Sequence, residues 1–267
     1  MPYDTSTLNT SVVRTILDQV KLEGRSALTA PEGKRVCDAY GIAVPKEGVA
    51  HSAKEAAHLA AGLGFPVVMK IVSPDILHKT EAGGVIVGLK TEAEVEAAYA
   101  RILANAREYR RDAKIDGVQV QQMLNGGQEV IIGAVTDQSF GKLVAFGLGG
   151  VLVEVLKDIT FRLAPTAPKH ALSMLDSIQA AEMLKGVRGS DPVNRAALAD
   201  MIQKVSRLVS DFPEIAEMDL NPVFATKDGA TAADVRIVVD FALQPPRYRP
   251  SQDEIVTAMN RIMKPDA

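Results

Sequence analysis

PVVMKIVSPDILHKTEAGGV, residues 66–85, reads as two apolar strands joined by a glycine-rich connection. Pro66–Val72 is rich in Val, Met and Ile, as a half- or fully buried strand requires. Lys70 stands inside that run. A lysine there needs a counter-charge or an escape to water, because burying it unpaired is expensive. Two readings stand at this point: an edge or snorkelling lysine, or a lysine that meets a phosphate. Residues 73–84 add His78, Lys79 and the pair Gly83-Gly84, and a strand resumes at once over Gly84–Leu89. Glycines let backbone N–H groups approach phosphate oxygens closely. The stretch holds no GxxxxGK[ST] P-loop. It fits a hairpin laid over a phosphate, and it equally fits an ordinary turn.

Outward from this hairpin the chain alternates helix starts with strand-like runs. Thr29-x-x-Glu32, Ser52-x-x-Glu55, Thr91-x-x-Glu94, Asp191-Pro192 and Ser251-x-x-Glu254 are helix openings, four of them with a Glu placed to complete a capping box. Gly117–Met123, Glu129–Thr136, Lys142–Phe146, Glu217–Phe224 and Val235–Phe241 are the further strands. The mixture predicts an α/β (α+β) class. Phe146–Glu154 contains GxGG but leads into β-branched residues, which argues against a dinucleotide fold. Asp158 and Arg162 read as a surface ion pair. Glu217, Asp219 and Asn221 alternate along one strand and so share a face, and Asp234 opens the next strand. Such oxygen donors suit Mg²⁺; an acidic hairpin end is the plainer alternative.

The totals exclude several classes. Thirty basic against 33 acidic residues give a net charge of −3, so no basic field invites nucleic acid, and Trp is absent. The single Cys37 cannot form an internal disulfide and fits a helix in the core of a cytoplasmic protein. No apolar run approaches the roughly 20 residues of a membrane span. His51, His58 and His170 read as exposed polar residues.

Taken in order, residues 66–85, GGQEVIIGAVTDQSFGKLVAFGLGGVLVEVLKDITFRLAP (126–165) and EMDLNPV (217–223) resemble the β, nucleotide-binding subunit or domain of ADP-forming acyl-CoA (acetyl-CoA) synthetases, ATP-grasp proteins related to the succinyl-CoA synthetase β subunit. The resemblance runs from about Ala27 to Phe241. It implies an ATP-grasp fold over residues 26–245, whose lid lobe (about 45–120) and large lobe (about 26–44 and 121–245) grip ATP/ADP and Mg²⁺. Residues 1–25 form an N-terminal extension and 246–267 a C-terminal helical tail.

By the same resemblance, Lys70 contacts nucleotide phosphates, and Leu77, His78, Lys79, Gly83 and Gly84 form the loop over them. Gln121, Gln122 and Met123 form the hinge that reads adenine through its backbone; many relatives carry an acid where Gln122 stands. Glu129 contacts the nucleotide, Asn221 and Asp234 hold Mg²⁺ with Asp219 beside them, and Glu154 is a further metal candidate. Arg162 adds positive charge for phosphoryl transfer. His78 is implied as a phosphoryl relay, since a neutral imidazole with a pKa of about 6.5 accepts a phosphoryl group at cellular pH; its alternative is a phosphate contact only. The implied reaction is acyl-CoA + ADP + phosphate ⇌ carboxylate + CoA + ATP, run with a CoA-binding α partner in a hetero-oligomer. A stand-alone ATP-grasp carboxylate ligase and a non-catalytic nucleotide-sensing subunit are the rivals.

Overall fold

The structure is a computed structural model that describes residues 8–76, 78–149, 158–187 and 191–243, and these fall into two units. The smaller comprises Ala27–Lys34 and Val44–Asn125; the larger runs up to Ser26, takes in Arg35–Ala43, and resumes at Gly126.

In the smaller unit a four-stranded antiparallel sheet has the order β1 (Glu47–Ala50), β4 (Gly117–Gln122), β2 (Val67–Val72), β3 (Val85–Leu89). Strand side chains alternate between faces. One face carries Val67, Met69, Ile71, Val118 and Val120, which pack with helices α3 (Ala53–Leu63) and α4 (Glu92–Tyr109) into one core. The alanines Ala56, Ala57 and Ala60 and the stripe Val95, Ala98, Tyr99, Ile102 and Ala106 are the helical contributions. Register puts Glu47 opposite Gln121, and Lys70 opposite Gln119, so these polar residues share the other face. Three of the helix starts read from sequence hold their caps, and the Ser251 start lies outside the described residues. Ser52 Oγ accepts from Glu55 N at 3.2 Å, Thr91 Oγ1 accepts from Glu94 N at 3.2 Å, and Glu32 accepts from Thr29 N at 2.7 Å.

The larger unit is built on an antiparallel sheet of order β10 (Val235–Val239), β8 (Ile215–Ala225), β5 (Gln128–Asp137), β6 (Gly141–Leu148), β7 (Ile159–Leu163), with β9 (Ala230–Ala232) also beside β8. Helices α5 (Pro168–Ser177) and α6 (Arg195–Asp211) pack on the face formed by Ala134, Ile132, Val144, Phe146, Met218 and Leu220. Helix α1 (Thr10–Leu22) buries Val13, Ile16, Leu17 and Val20 completely or nearly so. Arg14 pairs with Glu214 and lies 5.0 Å over the ring of Phe212. Tyr40, just beyond α2 (Ala30–Ala39), donates to Asp211 at 2.8 Å. These ties join the start of the chain to the end of α6. Cys37 is fully buried in α2.

Five elements escaped the sequence reading: β1, β7, β9, α5 and the short 3-10 helix Ala181–Lys185. The first three are short, and α5 opens on Pro168 after Ala167, whose side chain makes no cap bond. The α6 helix starts at Arg195 with Asn194 accepting from Ala197 N at 3.0 Å, three residues beyond the Asp191-Pro192 start expected from sequence. Asp191 instead makes an exposed ion pair with Lys227 at 2.9 Å, and such a solvent-screened surface contact does not decide where a helix begins. His170 is half-buried rather than exposed.

Lys142 donates to Thr136 Oγ1 at 2.5 Å, to the carbonyl of Pro213 at 2.7 Å and to that of Ile215. Burial pulls its amine down from 10.5 to about 8, opposed by the nearby Glu214 carboxylate. The unfolded chain therefore holds this proton over a window where the folded chain has released it, so this group's contribution becomes more stabilising as pH rises from about 8 to 10.5. The Tm difference between wild type and Lys142→Met should shift toward wild type across that window; a constant difference would reject the assignment.

Candidate functional site

In the smaller unit Lys70 is buried on the polar face of the sheet, where its register partner on β4 is Gln119 and on β3 is Val85. Gln121 is buried on the same face. The connection between β2 and β3 is tethered at both feet. Ser73 Oγ donates to the Lys114 carbonyl at 2.6 Å, Asp75 accepts from Lys114 N at 2.7 Å, and Ile76 is buried in the core. At the other foot Ala82 is buried, and Gly84 N donates to the Lys79 carbonyl at 2.8 Å. Between the feet the chain turns outward: Ala82 N donates to the His78 carbonyl at 3.1 Å and Gly83 N to that of Thr80 at 3.0 Å. This turn presents His78, whose side chain is 65% exposed, with Nδ1 3.7 Å from Glu81 Oε1. Lys79 is half-buried. Leu77 lies outside the described residues.

The two glycines have a packing reason of their own. Gly83 has φ +59°, a conformation that favours glycine, and a Cβ there would stand 2.7 Å from Asn105 Nδ2. A Cβ on Gly84 would meet Ile71 Cγ2 at 2.5 Å. At the end of β4, Gln122 N donates to the Lys46 carbonyl at 2.9 Å and Met123 N to that of Pro66 at 3.3 Å. Both N–H groups are thus spent within the unit. That detail was invisible in sequence, because it depends on which strand ends lie side by side.

In the larger unit the face of the sheet away from α5 and α6 carries the acids. Arg236 on β10 and Gly133 on β5 flank Asp219, and Glu217 shares its face, 3.8 Å from Arg236 at their closest charged atoms. Asn221 N donates to the Asp234 carbonyl at 3.3 Å, so the two expected metal ligands are neighbours. Burial raises the Asp219 pKa above 3.8; Arg236 opposes the shift, while Asp234 and Glu217 add to it. A pair of carboxylates beside an amide oxygen is what a magnesium ion takes from protein when phosphates and waters fill its other positions. The like charges that push Asp219 upward are those a cation would relieve. Among the described residues no three His, Cys, Asp or Glu side chains group to hold a metal by themselves. Glu154 lies outside the described residues. Glu129 is exposed on β5, and its carbonyl accepts from Gly149 N at 2.8 Å.

Arg162 stands on the opposite face, opposite Val144 and toward α5. It donates to Ser177 Oγ at 3.0 Å, to Ser173 Oγ at 3.4 Å, and to Thr160 and the Phe161 carbonyl. Burial lowers its pKa, although an arginine keeps its charge throughout the ordinary pH range. Asp158 accepts instead from the backbone of Gln179 at 2.7 Å and Ala180 at 2.9 Å. The surface ion pair expected between Asp158 and Arg162 is thereby replaced by two separate ties, both reaching the α5 region. Arg162 is not brought together with Asp219 and Asn221.

Comparison with known proteins gives a consistent result. Residues 19–239 match the family model described as an ATP-grasp domain. The chain is 47% identical over 226 residues to the acetate–CoA ligase [ADP-forming] I subunit beta of Pyrococcus furiosus, covering 85% of this chain and 97% of that protein. It is 46% identical to the 4-hydroxybutyrate–CoA ligase [ADP-forming] of Nitrosopumilus maritimus, covering 86% of this chain but 33% of that longer protein. Among solved structures it superposes on dinucleotide-forming acetyl-coenzyme A synthetase 1 of Ca. Korarchaeum cryptofilum with a TM-score of 0.75 at 39% identity, covering 85% of this chain and all of the matched one. That structure holds coenzyme A and Mg-AMPPCP, with its phosphohistidine segment pointing towards the nucleotide binding site. Among the described residues no helix is long and apolar enough to cross a membrane.

Proposed function

Because this chain belongs to the ATP-grasp family, we propose that it is the nucleotide-binding chain of an ADP-forming acid–CoA ligase, moving a phosphoryl group between a phosphohistidine and ADP/ATP. A CoA-binding α partner makes the acyl phosphate and supplies the phosphohistidine. The observation that carries the reading is the Lys70 strand feeding directly into a tethered turn that offers His78 outward. Phosphoryl transfer asks mainly for positioning and charge neutralisation. Lys70 and Lys79 supply fixed positive charge. With Glu81 on the Nδ1 side, His78 presents Nε2 as the acceptor. In the first transfer the P–N bond of the partner's phosphohistidine breaks as His78 Nε2 forms a new one; in the second the P–N bond at His78 breaks as a β-phosphate oxygen of ADP forms the new P–O bond, leaving a neutral imidazole.

Asn221 and Asp234, with Asp219 beside them, would hold Mg²⁺, which supplies charge neutralisation on the nucleotide phosphates when bound. Gln121, Gln122 and Met123 border the base, and Glu129 the nucleoside. Arg162 is left out of this set. It braces β7 against α5, and its replacement by Met should lower stability by about 1–3 kcal/mol with Mg–ADP affinity retained. A loss of affinity at unchanged Tm would return Arg162 to the site.

The test is incubation with γ-labelled ATP, with and without the α partner. Acid-labile, base-stable label on His78 is expected. Turnover without any partner would favour a stand-alone ligase, and Mg–ADP binding with no phosphorylation in the complete complex would favour a sensing subunit.

A further inference from the structure

We propose that Asn105, on helix α4, is a positioning residue for phosphoryl transfer: it clamps the rear foot of the turn that carries His78. The proposal rests on the relay reading of His78. Asn105 Nδ2 donates to the Gly83 carbonyl at 2.9 Å across 22 residues of chain. The contact is close on both sides, since any Cβ on Gly83 would collide with the same amide. Gly83 follows Ala82, which is buried in the core, and precedes Gly84, whose carbonyl accepts from Ile71 N at 2.8 Å. One side chain on a rigid helix therefore locks the point where the turn rejoins the sheet.

The front foot is held independently. Asp75 accepts from Lys114 N, its carbonyl accepts from Arg110 Nη1 at 3.2 Å, and Arg110 also lies 3.7 Å from its carboxylate. With both feet fixed, the turn from His78 to Glu81 is a short arm, and the reach of the imidazole is set by where its feet stand. A loop held this way does not search for its geometry in each cycle. Asn105 acts through Gly83, the residue its amide meets, and so through the turn.

The test compares wild type, Asn105→Ala and the isosteric Asn105→Asp, which cannot donate to a carbonyl. It uses the full chain assembled with its CoA-binding partner. Three quantities are read: amide exchange at residues 82–84, the initial rate of His78 labelling by γ-labelled ATP, and the Kd of Mg–ATP. Losing one half-buried hydrogen bond should speed exchange at 82–84 by about fivefold to tenfold in both variants. Labelling should slow by about tenfold while Kd stays within about twofold, as misplacement without loss of binding requires. Unchanged exchange would overturn the clamp, and so would faster exchange with an unchanged labelling rate. A fall in affinity that accounts for the slower labelling would also overturn it. If wild type never labels at His78, the relay reading fails, and the exchange result alone decides whether Asn105 holds the turn.

Discussion

Replacing His78 by Asn is expected to slow phosphoryl transfer between the partner's phosphohistidine and ADP by at least about 10³-fold while Mg–ADP still binds, because a nucleophile that forms a covalent intermediate has no substitute in the site. Asn keeps the volume and a hydrogen-bonding amide but cannot accept a phosphoryl group. The variant should fold as the wild type does, since a 65% exposed residue outside the core contributes little packing. The measurement is single-turnover transfer in the assembled enzyme, with calorimetric Mg–ADP affinity alongside. Full activity in His78→Asn would sink the relay. A fall of only a fewfold in rate, together with weaker nucleotide binding, would assign His78 to phosphate contact instead. Glu81→Gln offers a finer reading. It removes the charge 3.7 Å from Nδ1 while keeping the shape, so a smaller loss of rate is expected than from His78→Asn.

The second large effect is expected at the metal. The double replacement Asn221→Ala with Asp234→Ala should weaken Mg-dependent ADP binding by at least about 100-fold. The two residues are joined through the Asn221 N–H and the Asp234 carbonyl, which truncation to Ala leaves in place, so the strand geometry should survive. Unchanged binding would refute the assignment. Asp219 gives this site a pH signature. Burial, Asp234 and Glu217 hold its pKa above 3.8 against the pull of Arg236. An acid raised in the folded state keeps its proton where the unfolded chain has lost it, so its contribution to stability falls as pH rises from 3.8 through the raised value. A bound cation reverses the preference. Mg–ADP affinity should therefore climb with pH through that window and level off above it, and Asp219→Asn should flatten the climb. A climb that persists unchanged in Asp219→Asn would place its origin elsewhere.

Much of the fold was legible because it rests on local chemistry. Ser52 and Thr91 cap α3 and α4 where their side-chain oxygens reach the third residue on. The Val- and Ile-rich runs became β2, β3, β4, β5, β6, β8 and β10 to within a few residues at most ends. Where local chemistry was silent, the reading failed. Helix α5 has no side-chain cap at Ala167, and β1 and β9 are too short to show a period. Asp191 carried the signature of a helix start, yet an equally ordinary Asn194 three residues on holds the cap.

The alternation in Glu217-Met218-Asp219-Leu220-Asn221 by itself determined that three polar residues share a strand face, and residues 66–85 by themselves determined a strand, a glycine-bearing turn and a second strand. Only the tertiary structure decided what those faces meet. Register between β8 and β10 put Arg236 beside Asp219, the bond from Asn221 N brought Asp234 next to Asn221, and register between β6 and β7 sent Arg162 to the other side. Packing of α4 against the β2–β3 turn showed that Gly83 answers to Asn105. The physical reason is one of range. Side-chain period and capping act over three or four residues, whereas Asn105 reaches Gly83 across 22 residues of chain and Gly133 lies beside Asp219 across 86 (219 − 133), brought there by burial of the core.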